Sequence, residues 1–188
     1  MRFALLALAL MACPDGDTDT DTSSDTDTDT DTDTDTDTDT DTDVGSEGGV
    51  VINELLASND AANTDANGDY DDWFELHNTG TTAMDISGWK VTDDLGGDEP
   101  FELAAGTTIE PGGYLVIWAD DEAEQGPLHA DFKLSGGGEI LTLLDASNEI
   151  VDQIEFGEQT TDISYGRMPD GSDTWGTMDP PTPGASNK

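Results

Sequence analysis

From residue 50 onward, apolar and polar residues alternate in short stretches along the chain. A repeat of two residues is the spacing of a β-strand, and no segment sustains the 3.6-residue spacing of an amphipathic helix. Clusters of Gly, Pro, Asn and Asp, typical of turns, separate the stretches. The pattern predicts an all-β sandwich or barrel. The predicted strands are 50–56, 73–77, 84–86, 89–92, 101–103, 107–109, 114–118, 130–134, 139–144 and 150–156.

Two of these stretches allow predictions about burial. In residues 73–77 the alternation places Phe74 and Leu76 on one face, which we interpret as the core side. Glu75 and His77 fall on the opposite face, so we expect His77 at the surface of the sheet. The stretch at 114–118 is apolar at every position, which predicts a central strand covered on both faces.

One carboxylate is directed toward the predicted core. Asp152 shares a strand face with Ile150 and Ile154, and a buried carboxylate requires a partner. Arg167 is the only arginine beyond the first few residues. Guanidinium groups form bidentate pairs with carboxylates. We predict a structural ion pair between Arg167 and either Asp152 or Glu75.

The segment at 65–72 is a candidate metal-binding loop. Ca²⁺ takes six to eight oxygen ligands, and acidic or amide side chains at every second residue can supply several of them. The candidate ligands are Asp65, Asn67, Asp69, Asp71 and Asp72. The spacing departs from an EF-hand, because Tyr70 stands where that loop needs Gly and Leu76 where it needs Glu. The alternative interpretation is a solvated acidic loop without an ion.

The first thirteen residues are typical of a leader for export. An apolar run follows Arg2 and is too short to span a bilayer as a helix. It ends in Leu10-Met-Ala-Cys13, which resembles the lipobox of bacterial lipoproteins and contains the sole cysteine. The resemblance implies that a signal peptide of residues 1–12 is removed and that Cys13 is lipidated. The alternatives are an ordinary secretory signal with an incidental cysteine, or a misassigned start codon.

The distribution of acidic residues divides the rest of the chain into a repeat and a predicted folded domain. The formal net charge is −39, and fourteen of the 44 acidic residues lie in the Asp-Thr repeat of residues 14–43. That repeat has no apolar residue to bury, so we predict a disordered linker over 13–48 and one folded domain over 49–188. Because so negative a chain repels phosphate, we expect no nucleic-acid partner.

Nine short motifs in the predicted domain resemble the bacterial lamin tail domain. They are Ile52-Asn-Glu54, Asp72-Trp-Phe-Glu-Leu76, Asn78-Thr-Gly80, Ile86-Ser-Gly-Trp89, Pro111-Gly-Gly-Tyr-Leu115, Phe132-Lys-Leu134, Ser164-Tyr-Gly-Arg167, Pro169-Asp-Gly171 and Thr182-Pro-Gly-Ala185. The resemblance extends over about residues 50–187. It implies an immunoglobulin-like β-sandwich, and in bacteria such domains resemble accessory modules of secreted and surface proteins.

Few residues indicate catalysis. No Gly-x-Ser-x-Gly, phosphate-binding or dinucleotide-binding fingerprint occurs, and His77 and His129 lack metal-ligand spacing. Three tryptophans lie in predicted strands and are expected in the core, whereas Trp175 lies in a predicted loop at 171–176 and is a candidate exposed contact.

These observations favour a non-catalytic lipoprotein with a binding or structural domain, supported by Ca²⁺ as a candidate cofactor. The expected location is the bacterial cell envelope, at the outer membrane or cell surface, with secretion as the alternative. The expected partners are a membrane, through Cys13, and an unknown protein or glycan. The alternative functions are an accessory to a separately encoded secreted hydrolase, or an adhesin that recognises glycan or protein.

Overall fold

The computed structural model describes residues 48–97 and 99–188. The predicted signal peptide of 1–12, the lipidation site Cys13 and the predicted linker up to residue 47 lie outside the described residues. Within the described ranges, no helix is long and apolar enough to cross a membrane.

The regular secondary structure of the described part is almost entirely β-strand, which confirms the predicted all-β class. The strands are β1 (Val50–Leu56), β2 (Trp73–Asn78), β3 (Met84–Asp85), β4 (Lys90–Thr92), β5 (Phe101–Glu102), β6 (Thr108–Ile109), β7 (Tyr114–Ala119), β8 (His129–Ala130), β9 (Glu139–Leu144), β10 (Ile150–Phe156), β11 (Ser164–Arg167) and β12 (Trp175–Met178). A single turn of 3-10 helix, Ala123–Gln125, lies between β7 and β8.

Two larger sheets and one small sheet organise these strands. The first has the order β12-β11-β1-β2-β7-β8, the second β10-β9-β4-β5, and β3 pairs with β6. The pairs are antiparallel except for β7 with β8. One hydrophobic cluster joins Ile52 and Phe74 of the first sheet to Leu141 and Leu143 of the second, all four fully buried. This arrangement agrees with the predicted immunoglobulin-like sandwich.

Strand β2 lies in the middle of the first sheet and is buried along its whole length. Phe74 and Leu76 contribute to the core cluster as predicted. The expectation that His77 lies at the surface is wrong, because it is only 7% exposed. Its ring stacks on Tyr114 at 4.4 Å, and its Nδ1 lies 3.0 Å from the carbonyl oxygen of Gly113.

Strand β7 is less covered than its sequence suggested. It lies between β2 and the two-residue strand β8. Ile117 and Ala119 are buried, but the other four positions are only half-buried. The prediction of a strand covered on both faces is therefore wrong, because β8 is too short to extend the sheet along the whole of β7.

A β-bulge alters the face that β10 presents to the core. The register with β9 shifts between Ile150 and Asp152. A bulge adds a residue to one strand and so interrupts the alternation. As a result Ile150 is 56% exposed, contrary to the predicted face shared with Asp152 and Ile154.

The last ten residues, 179–188, follow β12 and lie against the first sheet without adding a strand. We call this segment the C-terminal clasp. Main-chain and side-chain groups of Thr182, Gly184 and Asn187 form hydrogen bonds with residues of β1 and β2. These contacts cover polar side chains on the face of the sheet opposite the hydrophobic core.

Candidate functional site

The acidic loop between β1 and β2 brings three carboxylates together. Asp65, Asp69 and Asp71 each offer one carboxylate oxygen, and these atoms lie within 4.8 Å of one another. Asp65 is buried, Asp71 is half-buried and Asp69 is exposed. The group therefore has a buried side, formed by Asp65, and a side open to solvent.

Asp65 holds the loop in shape. Its Oδ1 accepts hydrogen bonds from the main-chain N–H groups of Asn67, Gly68 and Asp69 at 2.8–2.9 Å. Gly68 has a φ of 95°, in the left-handed region that favours glycine. Burial alone would raise the pKa of Asp65, but these hydrogen bonds hold it below its ordinary value. Asp65 is therefore ionised at neutral pH.

Two carboxylate oxygens in this group have no partner. Asp65 Oδ2 and Asp71 Oδ2 are inaccessible to solvent and accept no hydrogen bond from residues 48–97 or 99–188. The pKa of Asp71 is raised, first by burial and then by repulsion from Asp120, Asp65 and Asp69. Nearly all buried polar atoms in proteins have a partner, so two orphan oxygens in one loop require an explanation.

The other two predicted ligands, Asn67 and Asp72, have hydrogen-bond partners of their own. The Asn67 side chain donates a hydrogen bond to Gln125 Oε1. Asp72 Oδ1 accepts a hydrogen bond from the main-chain N–H of Asn59 at 3.0 Å, and burial raises the pKa of Asp72 to about 6. The structure thus places three of the four candidate carboxylates in one group.

The structure also brings Arg167 against Asp152. Arg167 Nη2 lies 3.0 and 2.9 Å from the two carboxylate oxygens, and both side chains are largely buried. The remaining guanidinium nitrogens donate to main-chain carbonyls of Ile52 at 2.8 Å and Ser172 at 2.7 Å. Asp152 Oδ2 in turn accepts the N–H of Ile52 at 2.8 Å. The pair therefore ties β11 and β10 to β1.

Glu75, the alternative partner of Arg167, instead lies beside a second buried acid. Glu75 and Glu54 are opposite each other in the β1–β2 register, and neither is exposed. Gly184 N–H donates to Glu75 at 2.6 Å, and Thr182 donates to Glu54 through N–H and hydroxyl at 2.9 and 2.8 Å. Burial, assisted by repulsion from Glu54, raises the pKa of Glu75 to about 7.

Asp170 is the third acid of this cluster and is held by four donors. Asn53 Nδ2 and the Asn187 N–H donate to Oδ1 at 3.0 Å. Tyr114 and Ser186 donate to Oδ2 through their hydroxyls at 2.9 and 2.6 Å. Burial alone would raise the pKa of Asp170, but these hydrogen bonds lower it below its ordinary value. We call Glu54, Glu75 and Asp170 the clasp cluster.

With this geometry established, comparison with known families assigns the fold. The model of the Lamin Tail Domain family matches residues 44–158. The chain belongs to the lamin tail domain family. This family is an immunoglobulin-like, non-catalytic domain family. No curated protein matches the chain.

The lamin tail domain of this chain continues structurally beyond the matched residues. Strand β11 pairs with β1, and β12 pairs with β11, so both belong to the first sheet. Asn187, near the end of the clasp, donates to main-chain carbonyls of Asn53 and Arg167 at 3.2 and 2.8 Å. The motifs between 164 and 185 therefore belong to the same folded unit as those before residue 158.

Trp175 does not lie in a loop, contrary to the prediction. It begins β12 and is half-buried in the lamin tail domain. Its ring stacks on Tyr165 at 5.2 Å, and the Arg167 guanidinium lies 4.9 Å from its centroid. The four residues Trp175–Met178 show no alternation of apolar and polar side chains, so the sequence pattern did not indicate this strand.

His129 forms a buried contact that the sequence did not indicate. Its Nδ1 lies 2.5 Å from Asp120 Oδ2, and the two residues are 8% and 2% exposed. Asp120 follows β7, whereas His129 begins β8, so the parallel pairing of these strands brings them together. The pair closes the loop that contains the 3-10 helix and is too buried to act on an external substrate.

Proposed function

We propose that this protein is a non-catalytic, surface-tethered lipoprotein that displays its lamin tail domain as a binding or structural module, with Ca²⁺ supporting the domain. Membership of a non-catalytic domain family supports this function. The leader and the Asp-Thr repeat support the tether. In this arrangement Cys13 carries the lipid, and residues 14–43 separate the domain from the membrane.

The observation that carries the proposal is that the buried polar side chains contact other groups of the domain and so stabilise the fold. Glu75 and Glu54 lie beneath the clasp, Arg167 is enclosed with Asp152, and His129 is enclosed with Asp120. A general acid or base must reach its substrate within hydrogen-bond distance. These groups are instead engaged by hydrogen bonds or ion pairs inside the domain, as expected of a module whose outer surface performs the function.

The exposed apolar side chains suggest where such a surface lies. Among the described residues, the large exposed hydrophobic side chains are Tyr70, Leu95, Ile140, Ile150 and Val151. Ile140, Ile150 and Val151 belong to β9 and β10 in the second sheet, whereas Trp175 lies at the edge of the first. A protein or glycan partner is therefore better sought at the β9–β10 hairpin than beside Trp175.

Lipid labelling tests the tether directly. The full-length chain is expressed in a bacterium with radiolabelled palmitate, beside a Cys13→Ser variant. We expect label and membrane association only in the parent chain. A Cys13→Ser/Ser46→Cys variant is the matched control, because it retains one cysteine outside the lipobox.

Surface display is tested in the same cells with an external protease. We expect the lamin tail domain to be accessible on intact cells carrying the parent chain. Label that persists after Cys13→Ser substitution would refute the lipid anchor. A membrane-bound domain that becomes accessible only after cell lysis would refute display at the surface.

A further inference from the structure

We propose that the loop between β1 and β2 is a Ca²⁺ site in which Asp65, Asp69 and Asp71 are the protein ligands. This inference deepens the Ca²⁺ support included in the proposed function, but it does not depend on the lipid anchor. Asp72, which the sequence pattern also suggested, is not a member of this group, and its Oδ1 accepts a hydrogen bond from Asn59. Asn67 donates to Gln125 through its side-chain nitrogen, and this bond does not involve the oxygen by which an amide would bind Ca²⁺.

The buried oxygen of Asp65 is stronger evidence for a bound ion than the number of acidic residues in the loop. Asp65 is 7% exposed, and its Oδ1 already accepts three hydrogen bonds. Its Oδ2 accepts none and is shielded from water. A buried, ionised carboxylate oxygen requires a donor or a cation. Because the part of the chain that the structure describes provides no donor to this oxygen, a cation is the partner that fits.

Asp71 supplies a second orphan oxygen on the same group. Its Oδ2 is also buried without a partner, although the residue as a whole is half-buried. With Asp69 included, three carboxylates offer oxygens within 4.8 Å. Like charges at this spacing repel one another, whereas a divalent cation between them converts the repulsion into attraction.

The donor chemistry selects Ca²⁺ among the common divalent ions. All three side-chain ligands are oxygen atoms, whereas Zn²⁺ prefers sites rich in nitrogen and sulfur. Asp69 lies on the exposed side, so water can complete the six to eight ligands that Ca²⁺ requires. Mg²⁺ demands octahedral geometry and gives up its water reluctantly, so it fits a loop of separate side chains less well.

Terbium luminescence can detect ion binding by the domain without a contribution from ions bound to the Asp-Thr repeat. Tb³⁺ binds oxygen ligands like those of Ca²⁺ and emits when a neighbouring aromatic ring transfers energy to it. Tyr70 lies in the loop and Trp73 begins β2, whereas residues 14–47 contain no aromatic residue. Tb³⁺ bound to the Asp-Thr repeat therefore gives no sensitised emission, and the emission measures binding to the domain.

The measurement uses the purified full-length chain in a mild non-ionic detergent. We expect sensitised Tb³⁺ emission that Ca²⁺ displaces at sub-millimolar to millimolar concentration and that Mg²⁺ displaces at least tenfold less well. Asp69→Asn and Asp71→Asn should each weaken Ca²⁺ binding at least tenfold. Glu124→Gln is the matched control, because it removes one exposed charge from the adjacent 3-10 helix and should bind as the parent does.

Thermal unfolding, followed by tryptophan fluorescence at constant ionic strength, provides an independent measurement. A ligand that binds only the folded state raises the midpoint, whereas ions held equally by the folded and unfolded chain do not. We expect 10 mM Ca²⁺ to raise the midpoint of the parent and of Glu124→Gln by about 5 °C relative to EDTA. In EDTA, Asp71→Asn should melt no lower than the parent, because it relieves repulsion.

Three results would overturn the site. They are the absence of Tb³⁺ emission displaceable by Ca²⁺, parental Ca²⁺ affinity in both Asp69→Asn and Asp71→Asn, and equal displacement by Mg²⁺ and Ca²⁺. Any of these would leave the palmitate labelling result unchanged, so failure of the ion site is distinguishable from failure of the tether.

Discussion

The clasp cluster should make the domain less stable as the pH rises from 5 to 8. The pKa of Glu75 is raised from its ordinary value of 4.5 to about 7, mainly by burial. A pKa that is higher in the folded than in the unfolded chain contributes stability below the unfolded value. That contribution declines above about pH 4.5 and is lost as the pH rises through about 7.

The size of the effect follows from the same two values. Each pKa unit is equivalent to about 1.4 kcal/mol, so Glu75 alone should lower the free energy of unfolding by about 2–3 kcal/mol between pH 5 and pH 8. Glu54, whose pKa burial also raises, adds to the change in the same direction. The hydrogen bonds of Asp170 act oppositely, but their contribution is lost only below its ordinary pKa of 3.8.

Glu75→Gln isolates the contribution of this one carboxyl. Glutamine is neutral at every pH and retains one oxygen to accept the Gly184 N–H. Its amide group cannot accept the second hydrogen bond, from Asn53, and this costs about 1 kcal/mol. We therefore expect the variant to be less stable than the parent at pH 5 and more stable at pH 8. Glu155→Gln, an exposed position on β10, is the control and should follow the parent.

Urea unfolding of the full-length chain in detergent, with EDTA and constant ionic strength, measures this difference. Urea slopes of about 1–3 kcal/mol per molar predict that the parental midpoint falls by roughly 1–2 M between pH 5 and pH 8. If Glu75→Gln shows the same fall as the parent, Glu75 is not the titrating group. If the parental midpoint is constant, burial does not raise the pKa as argued.

Three further substitutions test the packing around β1. Arg167→Ala should lower the free energy of unfolding by about 3–5 kcal/mol, because it leaves Asp152 buried without its partner. Asn187→Ala should cost about 1–3 kcal/mol, because it leaves two main-chain carbonyls without a donor. Gly166→Ala should cost about 1–3 kcal/mol, because the new methyl group would lie 2.8 Å from the main-chain carbonyl oxygen of Asn53, which cannot move aside as a side chain can. Urea unfolding at pH 7 measures all three.

Each substitution has a control of the same type. Lys90→Ala removes a cation that donates an exposed hydrogen bond to Asn148. Lys188→Ala alters the exposed end of the clasp, and Gly157→Ala adds a methyl group with no described atom within 4 Å. We expect each control to change stability by less than about 1 kcal/mol. A test variant that unfolds at the same midpoint as its control would contradict the role assigned to that residue.

Alternation within strands allowed the fold class to be predicted because one face of each strand packs in a single core. Alternation failed to predict burial where a face of a strand is covered by a segment that lies far away in the sequence. Glu75 alternates with Phe74 and Leu76 and was placed correctly opposite the core. Nothing in that stretch indicated that the clasp, more than a hundred residues later, would bury it.

In the candidate sites too, neighbouring residues allowed some predictions, whereas contacts between residues distant in the sequence could not be predicted. The apolar neighbours of Asp152 indicated a buried carboxylate, and the scarcity of arginine narrowed the choice of partner to Arg167. In the acidic loop, spacing alone could not separate ligands from their neighbours. Asp72 was predicted as a further ligand outside the alternating set, but its Oδ1 accepts a hydrogen bond from the main-chain N–H of Asn59, thirteen residues earlier.

The two acid clusters differ in the means by which their charge is satisfied, and this difference predicts opposite responses to solution conditions. In the clasp cluster, hydrogen-bond donors engage both carboxylate oxygens of Glu54, Glu75 and Asp170, so a proton relieves the remaining repulsion. In the loop, Asp65 and Asp71 each retain a buried oxygen without a donor among the described residues, and the proposed cation would satisfy both. Lower pH should therefore stabilise the clasp in EDTA, whereas Ca²⁺ should stabilise the loop at neutral pH, and the clasp variant Glu75→Gln should retain its full response to Ca²⁺.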